Sequence, residues 1–435
     1  MNFISIKKSS DGRHKIFNIL GIKLSFYEIN IKNIQKQYEN IEKILAGERK
    51  IRKLNVTFAI SMTSMFPAKP LLDYWLKTGE YNVKILILPD FRFENENVQK
   101  IQDKCYEELK TYYDKSILIK VPINKNDDNI NYKEFTDIMF LSLPYNFSHE
   151  KYYIENICTS GILPAIVNYS FFMSKFGISL IKSKTYSMFW KIFVETKYNL
   201  LEYKKYAKLK DKNCVLTGYC KIDSYKYFED KYSKISNKPK TIMIAPHHSI
   251  KNGYNEMLSL SNFYKYSDLF LQLPDIYPHI NFIFRPHPAL FLLLSQEDFW
   301  GEKKVQKYIA ELKSKTNVEY SIGGNYFEDF VKSDGIINDC HSFLVEYFYT
   351  GKPQCYLLKN KKDINNKFTE LGKKCLEKCY ISYSKEDIIN FIENVIVKEN
   401  DTNKEERINF AKNEIMLNYP NSSEKISEYF SDIFQ

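Results

Sequence analysis

The most informative stretch of this chain reads KSDGIINDCHSFLVEYFYTGKP and spans residues 332–353. It begins with a short apolar run, Gly335–Asn338, that is typical of a buried strand, and it continues into the polar turn 339–342. An amphipathic helix is predicted over Phe343–Tyr349 and ends before Gly351-Lys352-Pro353, because glycine and proline stop helices. A strand, a polar turn and a helix in this order predict one unit of an α/β fold with a parallel sheet.

The same alternation extends from this stretch toward both ends of the chain. In the second half the predicted strands are Thr241–Ala245, Ile280–Phe284, Val318–Ser321, Gly335–Asn338, Gln354–Leu358 and Cys379–Ser382. In the first half they are Val56–Met62, Val83–Leu88, Ile117–Val121, Asp137–Leu143, Ile162–Asn168 and Cys214–Thr217. Helical patterns separate the strands, so each half predicts a doubly wound parallel sheet. We therefore expect an α/β protein with two Rossmann-like domains that face a cleft.

The predicted domain boundaries follow from these two series. Residues 1–53 are predicted to form a basic, amphipathic and helical N-terminal segment, and residues 401–435 a set of C-terminal helices. The two Rossmann-like domains are predicted at residues 54–225 and 241–400. Lysine, serine and proline are frequent in Asp230–Lys240, which is predicted to link the two domains.

The positive charge of the chain is concentrated near its start. Among its 435 residues, 63 are Lys or Arg and 53 are Asp or Glu, which gives a net charge of +10. Residues 1–53 contain 12 basic and 5 acidic residues, or +7, so the other 382 residues carry only +3. Because the body is nearly balanced and has no recognition motif, nucleic acid is not an expected partner.

The helix predicted at residues 31–45 has one apolar stripe and is expected to end at Gly47 and the basic residues after it. The stripe consists of Ile31, Ile34, Tyr38, Ile41 and Leu45. Two interpretations stay open: the stripe packs on its own domain, or it contacts a membrane surface or a second copy with help from the lysines around it. No apolar run reaches the ~18 to 20 residues that span a bilayer, and the first residues lack a signal-peptide pattern. The expected location is the cytoplasm, and the second interpretation adds a peripheral position on the inner face of the cell membrane.

The sequence predicts neither a metal site nor a bound cofactor. The eight cysteines lack the CxxC pairs of zinc sites, and only Cys375 and Cys379 lie close together. The chain also lacks the GxGxxG and GxxxxGKS/T sequences that mark the two commonest nucleotide-binding loops.

Histidines follow the predicted strands of the second half, where ligands bind in an open α/β sheet. Five of the seven histidines lie between positions 247 and 341. After the strand at Thr241–Ala245 the chain supplies His247, His248 and Lys251 as candidate ligand contacts, with an ordinary polar loop as the alternative.

The next strand runs into Arg285-Pro286-His287-Pro288, where two prolines fix the main chain and hold both polar side chains on a rigid turn. A guanidinium group offers paired donors, and an imidazole can donate or accept, so Arg285 and His287 together suit the oxygens of a phosphate.

The turn 339–342 supplies the third group of candidates. His341 and Ser342 stand at the start of a predicted helix, where free N–H groups favour an anion. Glu346 follows one turn later and is placed to accept hydrogen bonds from ribose hydroxyls. Asp339 and Ser342 also fit an alternative role as simple helix caps.

Together these motifs resemble the CDP-glycerol glycerophosphotransferase family, the teichoic-acid polymerase-like enzymes with the GT-B fold. The resemblance covers roughly residues 137–383. It rests on LTGYCKID at 216–223, which is similar to the family's Gly-Tyr-Pro-x-x-Asp segment, and on APHHSI and FRPHP. It rests further on SDGIINDCHSFLVEYFYTGKP, which is similar to the family's Asp-x-x-Ile-Thr-Asp-Tyr-Ser-Ser stretch leading into Gly-Lys-Pro.

The resemblance implies a metal-independent transferase that moves glycerol phosphate or a similar polyol phosphate. The donor would be CDP-linked and bound mainly by the second domain. The acceptor would be a hydroxyl of a glycan or lipid-linked chain in a capsule or teichoic-acid-like polymer. Catalytic roles are implied for His247, Arg285 and His287. Contacts to the donor's phosphates and ribose are implied for His248, Lys251, Arg285, His287, Asp339, His341, Ser342 and Glu346.

Two departures from the family's pattern leave the catalytic base open. The Trp-His-Gly motif, whose histidine deprotonates the acceptor hydroxyl, is replaced by Val167-Asn168-Tyr169-Ser170. The Pro-Thr-x-Arg motif appears as Pro246-His247-His248-Ser249 without the arginine, for which Lys251 could substitute. Either the base has moved, with His247 and His149 as candidates, or the acceptor chemistry differs.

The alternative function is an inverting GT-B glycosyltransferase that uses a CMP- or UDP-sugar, since one fold serves several chemistries. The chain contains no Asp-x-Asp pair, which argues against a metal-dependent GT-A enzyme. A third hypothesis, from another class, is a non-catalytic module that residues 1–53 recruit to a membrane or to nucleic acid.

Overall fold

The structure is a computed structural model that describes residues 4–8, 14–19, 22–27, 30–93, 95–232, 239–250, 259–323 and 325–435. For residues 4–27, 95 and 96 it describes the main chain only. The candidate Lys251 and most of the predicted linker lie outside the described residues.

Three sheets make up the β-structure of the described residues. The first has the antiparallel strands β1 (Ile4–Lys8), β2 (His14–Ile19) and β3 (Ile22–Tyr27). The second contains β4 (Asn55–Ile60), β5 (Asn82–Ile87), β6 (Leu118–Lys120), β7 (Ile138–Leu141), β8 (Leu163–Val167), β9 (Lys191–Val194) and β10 (Cys214–Leu216). The third contains β11 (Thr241–Ala245), β12 (Asn281–Phe284), β13 (Val318–Tyr320), β14 (Gly335–Asn338), β15 (Gln354–Leu357) and β16 (Tyr380–Ser382).

The helices lie between these strands and at the end of the chain. In the first half they are α1 (Ile31–Arg49), α2 (Lys69–Thr78), α3 (Asn95–Lys110), α4 (Ile154–Ile157), α5 (Lys175–Ile181), α6 (Lys184–Met188), α7 (Lys197–Tyr206) and α8 (Asp223–Tyr232). In the second half they are α9 (Phe263–Ile276), α10 (Pro288–Leu294), α11 (Glu302–Ser314), α12 (Phe327–Lys332), α13 (His341–Glu346), α14 (Asp363–Lys367), α15 (Glu370–Glu377), α16 (Lys385–Asn390), α17 (Lys404–Phe410) and α18 (Ser422–Ile433). Wider π-helical turns continue α16 through Phe391–Val397 and α17 through Ala411–Ile415.

Both large sheets are parallel and doubly wound, as predicted. Their orders are β10-β9-β8-β7-β4-β5-β6 and β13-β12-β11-β14-β15-β16. In each sheet the first strand lies inside, β4 between β5 and β7 and β11 between β12 and β14, so the connections reverse direction there. A reversal of this kind opens a crevice beyond the carboxyl ends of the strands. The turn after β11 and the turn after β14 therefore lie where a ligand is expected.

In the two large sheets the predicted strands match the observed ones closely, with one omission. The runs Thr241–Ala245 and Gly335–Asn338 are strands with the predicted ends. Strand β9 was not predicted, because it has only four residues and one of them is Lys191. The C-terminal helices predicted at residues 401–435 correspond to α17, continued by its π-helical turn, and α18.

The N-terminal segment differs from the predicted helical one in its first part. Among its described residues, β1, β2 and β3 form an antiparallel sheet and α1 is the one helix. The side chain of Asn30 caps α1 by accepting hydrogen bonds from the main-chain N–H groups of Lys32 and Asn33. The helix continues through Gly47 to Arg49. The apolar stripe packs on the core of the second sheet, where Ile34, Tyr38 and Leu45 are buried. Of the two interpretations for the stripe, packing on its own domain is confirmed.

The end of the chain returns to the first Rossmann-like domain. Helix α18 lies against α2, and Ser427 accepts a hydrogen bond from Trp75 Nε1 at 2.7 Å. The ring of Phe430 lies 5.2 Å from that of Trp75, inside the same core. This contact fixes the C-terminal helix to the first Rossmann-like domain.

Among the described residues, no helix combines the length and the apolar composition that crossing a bilayer requires.

Candidate functional site

Three of the predicted site residues form a group of facing imidazole rings, His247, His248 and His287, which we call the histidine cluster. The ring centroids of His247 and His248 are 4.2 Å apart, and that of His287 lies 4.0 Å from His248 and 5.1 Å from His247. The first two rings follow β11 and the third follows β12, its parallel neighbour. The main-chain N–H of His287 donates to the carbonyl of Pro246 at 3.0 Å, so the two turns stay paired beyond the strand ends.

The hydrogen bonding of His287 defines which of its ring nitrogens carries hydrogen. His287 caps α10, and its Nδ1 accepts the main-chain N–H of Ala289 at 3.1 Å. A neutral imidazole has one N–H and one lone pair, so a ring that accepts at Nδ1 carries its hydrogen on Nε2. His287 therefore presents an Nε2–H donor.

His247 reaches the same tautomer through a neighbouring serine. Ser249 Oγ accepts the main-chain N–H of Leu260 at 3.2 Å and lies 2.8 Å from His247 Nδ1. The main-chain N–H of Ser249 also points at this Nδ1, at 3.3 Å. With two hydrogens directed at Nδ1, the remaining hydrogen of His247 is on Nε2.

Burial keeps all three rings of the histidine cluster neutral at pH 7. It lowers the pKa of His248 to about 4 and that of His287 to about 3, because a charged imidazole loses its hydration inside the protein. Burial also lowers the pKa of His247 well below its usual value, and the other histidines add to this effect. The cluster is thus a group of neutral hydrogen-bond donors that a nearby anion would make easier to protonate.

Asp339 holds the histidine cluster in place from the adjacent strand β14. Its fully buried carboxylate accepts the main-chain N–H of His247 at 2.7 Å and that of Asn262 at 2.5 Å. Burial raises the pKa of Asp339 to about 6, and the two N–H donors oppose this. The observed role of Asp339 is to position the turn after β11.

His341 and Ser342 begin α13, next to the histidine cluster. Burial lowers the pKa of His341 to about 3, and the charge of Lys367 lowers it further. Its Nε2 is buried and has no hydrogen-bond partner among the described residues. Ser342 Oγ lies 3.3 Å from the sulfur of Cys340. His341 is thus a fourth buried neutral ring, and its contact with a ligand stays a prediction.

Arg285 lies on the same turn as His287, but its side chain is occupied by internal partners. The guanidinium donates to Asp329 Oδ2 at 2.6 Å and to Ser321 Oγ at 2.8 Å, and it also donates to the carbonyl of Gly323. The side chains of Arg285 and Asp329 are only 11% and 6% exposed. The contact between Arg285 and donor phosphates stays a prediction.

Glu346 is fully buried, and both of its oxygens are already engaged. Oε1 accepts from the hydroxyl of Tyr219 and Oε2 from that of Tyr326, each at 2.7 Å. The ammonium of Lys221 lies 4.0 Å from the carboxylate. The ribose contact of Glu346 likewise stays a prediction. Lys221 is a neighbour that sequence reasoning missed, although it lies inside the motif at 216–223.

The position expected to hold the catalytic base contains Asn168 in a buried polar group. Its amide donates to Tyr203 at 3.3 Å and accepts from Tyr186 at 3.2 Å. His149, the second candidate base, lies in the first domain with Nε2 at 2.8 Å from the carbonyl of Pro122.

Sequence reasoning also missed Glu195, which directly follows β9. It is 1% exposed, and neither carboxylate oxygen has a hydrogen-bond partner among the described residues. Burial raises its pKa to about 8, so the group is mainly protonated at neutral pH. An acidic residue after the apolar run KIFV was the available signal, but the strand itself had not been predicted.

The histidine cluster also has the composition of a metal site. One ring nitrogen of each residue lies within 4.8 Å of the others, and no other group of this kind occurs among the described residues. Binding a metal through Nε2 would require His287 to move its hydrogen to Nδ1, which accepts the N–H of Ala289. The observed hydrogen bonds therefore favour an anion over a cation at this position.

Comparison with known proteins relates the architecture to two kinds of enzyme. No protein-family profile and no curated protein sequence matches the chain. The wall teichoic acid polymerase TagF is similar at a TM-score of 0.56 and 12% identity, over 94% of this chain and 98% of that one. UDP-GlcNAc 2-epimerase from Neisseria meningitidis, bound to UDP-GlcNAc, is similar at a TM-score of 0.54 and 14% identity, over 87% and 100%.

The chain has the GT-B fold. In this fold the two Rossmann-like domains face each other, as predicted from the two series of strands. The family suggested by the sequence motifs has a structural counterpart, since TagF is among the solved structures that share the architecture. The histidine cluster and Asp339 lie at the strand ends of the second domain of this GT-B fold.

Proposed function

We propose that this protein is a transferase that moves glycerol phosphate, or a similar polyol phosphate, from a CDP-linked donor to a hydroxyl of a cell-surface glycan. The histidine cluster is the observation that carries the proposal. Two of its rings are neutral Nε2–H donors at the carboxyl ends of β11 and β12. Such donors suit the oxygens of a diphosphate, and a buried site strengthens the hydrogen bonds they form.

The proposed reaction is an in-line displacement at the phosphorus of the glycerol phosphate group. The acceptor oxygen forms a new bond to phosphorus while the bond from phosphorus to the CMP oxygen breaks, and CMP leaves with that electron pair. Imidazole N–H groups stabilise the negative charge that builds up on the phosphate oxygens. The acceptor's proton passes to a general base, for which His247 and His149 are the candidates.

Arrival of the donor also changes the histidine cluster itself. A phosphate next to an imidazole favours the protonated ring and raises its pKa from the low values of the free protein. One ring can then carry a proton and neutralise the charge on the departing CMP. Protonation of His287 would place a second hydrogen on Nδ1 and displace the N–H of Ala289, so His287 keeps the role of a neutral Nε2–H donor.

The structural neighbours support a nucleotide-linked donor. One TagF structure with this fold was soaked with CDPG (TM-score 0.56, 10% identity, 94% of this chain and 98% of that one), and the Neisseria epimerase holds UDP-GlcNAc. Both ligands contain a diphosphate, for which the histidine cluster is suited.

Asn168 favours a second candidate function, an inverting glycosyltransferase that uses a CMP- or UDP-sugar. Its amide is engaged by Tyr186 and Tyr203 and offers no basic nitrogen to an acceptor hydroxyl. A sugar transfer also requires a base that removes the proton of the acceptor hydroxyl. In that reaction the hydroxyl attacks an anomeric carbon and not a phosphorus atom, so the base lies at a different position.

The deciding experiment offers CDP-glycerol, CMP-sugars and UDP-sugars in turn to the full-length protein and measures nucleotide release. Calorimetry with CDP, CMP and UDP identifies the nucleotide independently of turnover. Release from CDP-glycerol with a glycan acceptor supports the proposal, and release from sugar donors alone would replace it by the second candidate. Turnover that disappears with chelator and returns with Zn²⁺ would make the histidine cluster a metal site.

Residues 1–29 are proposed to hold the enzyme at the inner face of the cell membrane, since the stripe of α1 is used inside the domain. Their basic residues would attract anionic lipids. Co-sedimentation with phosphatidylglycerol vesicles should be lost when residues 1–29 are deleted, whereas donor turnover on a soluble acceptor should persist. Equal sedimentation of the two proteins would remove the membrane role, and vesicle binding by a full-length protein that turns over none of the donors would favour the non-catalytic binding module.

A further inference from the structure

A cavity lies between the two domains, apart from the histidine cluster. Its volume is about 290 Å³, and it opens beside the loop after β4 and the start of α2. The polar and aromatic residues that line it include Thr63, Lys69, Glu108, Tyr112, Lys221 and Tyr326. We call it the interdomain cavity.

The size of the interdomain cavity limits what can enter. Its volume of about 290 Å³ lies at the lower end of the ~300 to 1,000 Å³ typical of small-molecule sites. One sugar or polyol unit fits such a volume, so the cavity suits a single terminal unit of a chain.

The charges around the interdomain cavity are compensated in pairs. Lys69 lies 2.6 Å from Asp73, Lys221 lies 4.0 Å from Glu346, and Glu108 lies 3.7 Å from Lys104. Burial lowers the pKa of Lys221, which reflects how little water surrounds its ammonium. Because each charge already has an opposite partner nearby, the cavity offers no excess positive charge to a phosphate group. The cavity therefore suits an uncharged ligand better than a phosphorylated one.

The same residues provide what a polyhydroxylated ligand requires. The ammonium of Lys221 donates hydrogen bonds and the carboxylate of Glu108 accepts them, and the hydroxyl oxygen of Thr63, which donates its hydrogen to Glu108, can accept one as well. The ring of Tyr112 is 73% exposed at the rim, where an aromatic face can cover the apolar side of a sugar. The ring of Tyr326 lies under the Lys221 ammonium, 4.9 Å from it.

Tyr326 also connects the interdomain cavity to the second domain's strand ends. Its hydroxyl donates to Glu346, and its ring centroid lies 5.8 Å from the guanidinium of Arg285, which follows β12 on the same turn as His287. A ligand in the cavity would therefore lie on the side of the cleft that leads toward the proposed donor phosphates.

We propose that the interdomain cavity binds the terminal sugar or polyol unit of an uncharged glycan chain. The role of this cavity as an acceptor site rests on the transfer reaction proposed above. The binding of a sugar there does not depend on that reaction. The inference names the chemical class of the acceptor end: neutral and rich in hydroxyl groups, with no terminal phosphate.

The experiment measures saturation-transfer NMR of small probes with the full-length protein. The neutral probes are methyl glucoside and glycerol, and their charged counterparts are glucose 6-phosphate and glycerol 3-phosphate. Tyr112→Ala and Lys221→Met remove one ring and one donor from the cavity. Tyr227→Ala is the matched control, because Tyr227 is 66% exposed and outside the cavity lining.

We expect the neutral probes to bind and to lose about threefold to tenfold in affinity in Tyr112→Ala and Lys221→Met, the effect of one hydrogen bond or ring contact. Tyr227→Ala should bind them as the wild type does, and the phosphorylated probes should bind more weakly. Absence of binding, unchanged binding in both cavity variants, or preference for the phosphorylated probes would overturn the inference.

Calorimetry with CDP on the same samples separates this inference from the proposed function. Wild-type protein that binds the neutral probes but not CDP would remove the proposed donor and leave the sugar site standing. Wild-type protein that binds CDP but no neutral probe would remove the sugar site and leave the proposed function standing.

Discussion

The carboxylate of Asp339 accepts a hydrogen bond from the main-chain N–H of His247 at 2.7 Å. This bond connects the end of β14 with the end of β11, two strands that lie side by side in the sheet. Asp339 is fully buried, so the position of the histidine cluster depends on an interaction that water does not reach. A residue expected to contact the donor thus supports the histidines that are proposed to contact it.

Replacing Asp339 by alanine should therefore weaken both the fold and nucleotide binding. Two buried N–H groups, of His247 and Asn262, would lose their acceptor at a cost of about 1 to 3 kcal/mol each. Urea unfolding measures the stability, and calorimetry with CDP measures the binding. Asp137→Ala is the control, since Asp137 accepts the main-chain N–H of Asn55 at 2.7 Å in the first domain. It should lower stability without changing CDP affinity, and equal CDP losses in both variants would refute the positioning role.

His287→Ala and His248→Ala should each reduce CDP affinity by about 10-fold to 100-fold. This range corresponds to one hydrogen bond to a charged group, about 1.5 to 3 kcal/mol. His279→Ala serves as the control, because His279 is exposed and lies before β12. Wild-type CDP affinity in both cluster variants would place the nucleotide elsewhere.

The free protein should lose stability in mild acid because of its buried histidines. The pKa of His248 is about 4 and that of His287 about 3, below the usual 6.5, so the unfolded chain binds protons at a higher pH than the folded one. The contribution of these two neutral rings to the stability of the folded protein is complete above pH 6.5 and is lost as pH falls toward 4. A double variant, His248→Gln with His287→Gln, should show a smaller fall in melting temperature between pH 7 and pH 4.5. An unchanged fall would mean that these rings are not buried as neutral groups.

Glu195 should have the opposite dependence on pH. Its folded pKa of about 8 lies above the value of 4.5 for an open chain, so the unfolded chain gives up its proton first. Stability is greatest below pH 4.5 and decreases as pH rises toward 8, by a few kcal/mol in order of magnitude. Glu195→Gln removes the titration, so it should melt at a higher temperature than the wild type at pH 8 and close to it at pH 5. The exposed Glu107→Gln provides the control, and a pH-independent difference for Glu195→Gln would contradict the assignment.

The residues that sequence patterns predicted well are those with local signals. The apolar run Thr241–Ala245 and the turn after it are visible in the sequence, because a buried parallel strand is continuous and its polar turn is abrupt. The meeting of His247 with His287 also followed, since neighbouring parallel strands end at the same edge of the sheet. Strand β9 begins with the charged Lys191, which weakens its apolar pattern. Because this strand was not predicted, Glu195 at its end was not identified either.

The sequence does not indicate which groups pair with the buried charges. Arg285 and Asp329 are 44 residues apart, and nothing local to either one indicates their contact. The same holds for Glu346, whose two tyrosine donors lie 127 and 20 residues away. The sequence alone therefore assigns ligand contacts to Arg285 and Glu346, although both groups have partners inside the protein.

The pair of Arg285 with Asp329 separates structural from ligand-binding roles. Arg285→Ala leaves the nearly buried carboxylate of Asp329 without its counter-charge, and breaking a buried pair in this way costs about 3 to 5 kcal/mol. We therefore expect Arg285→Ala to be destabilised, so that a loss of turnover in this single variant would not show contact with the donor.

The double variant Arg285→Met with Asp329→Leu removes both charges and should recover most of the stability, because an apolar pair replaces a buried ion pair with little loss. With its guanidinium engaged by Asp329, Ser321 and Gly323, Arg285 should act by positioning this loop, and the double variant should bind CDP within about threefold of the wild type. A stable double variant that binds CDP at least tenfold more weakly would instead place the guanidinium on the donor phosphates, as the family resemblance implies.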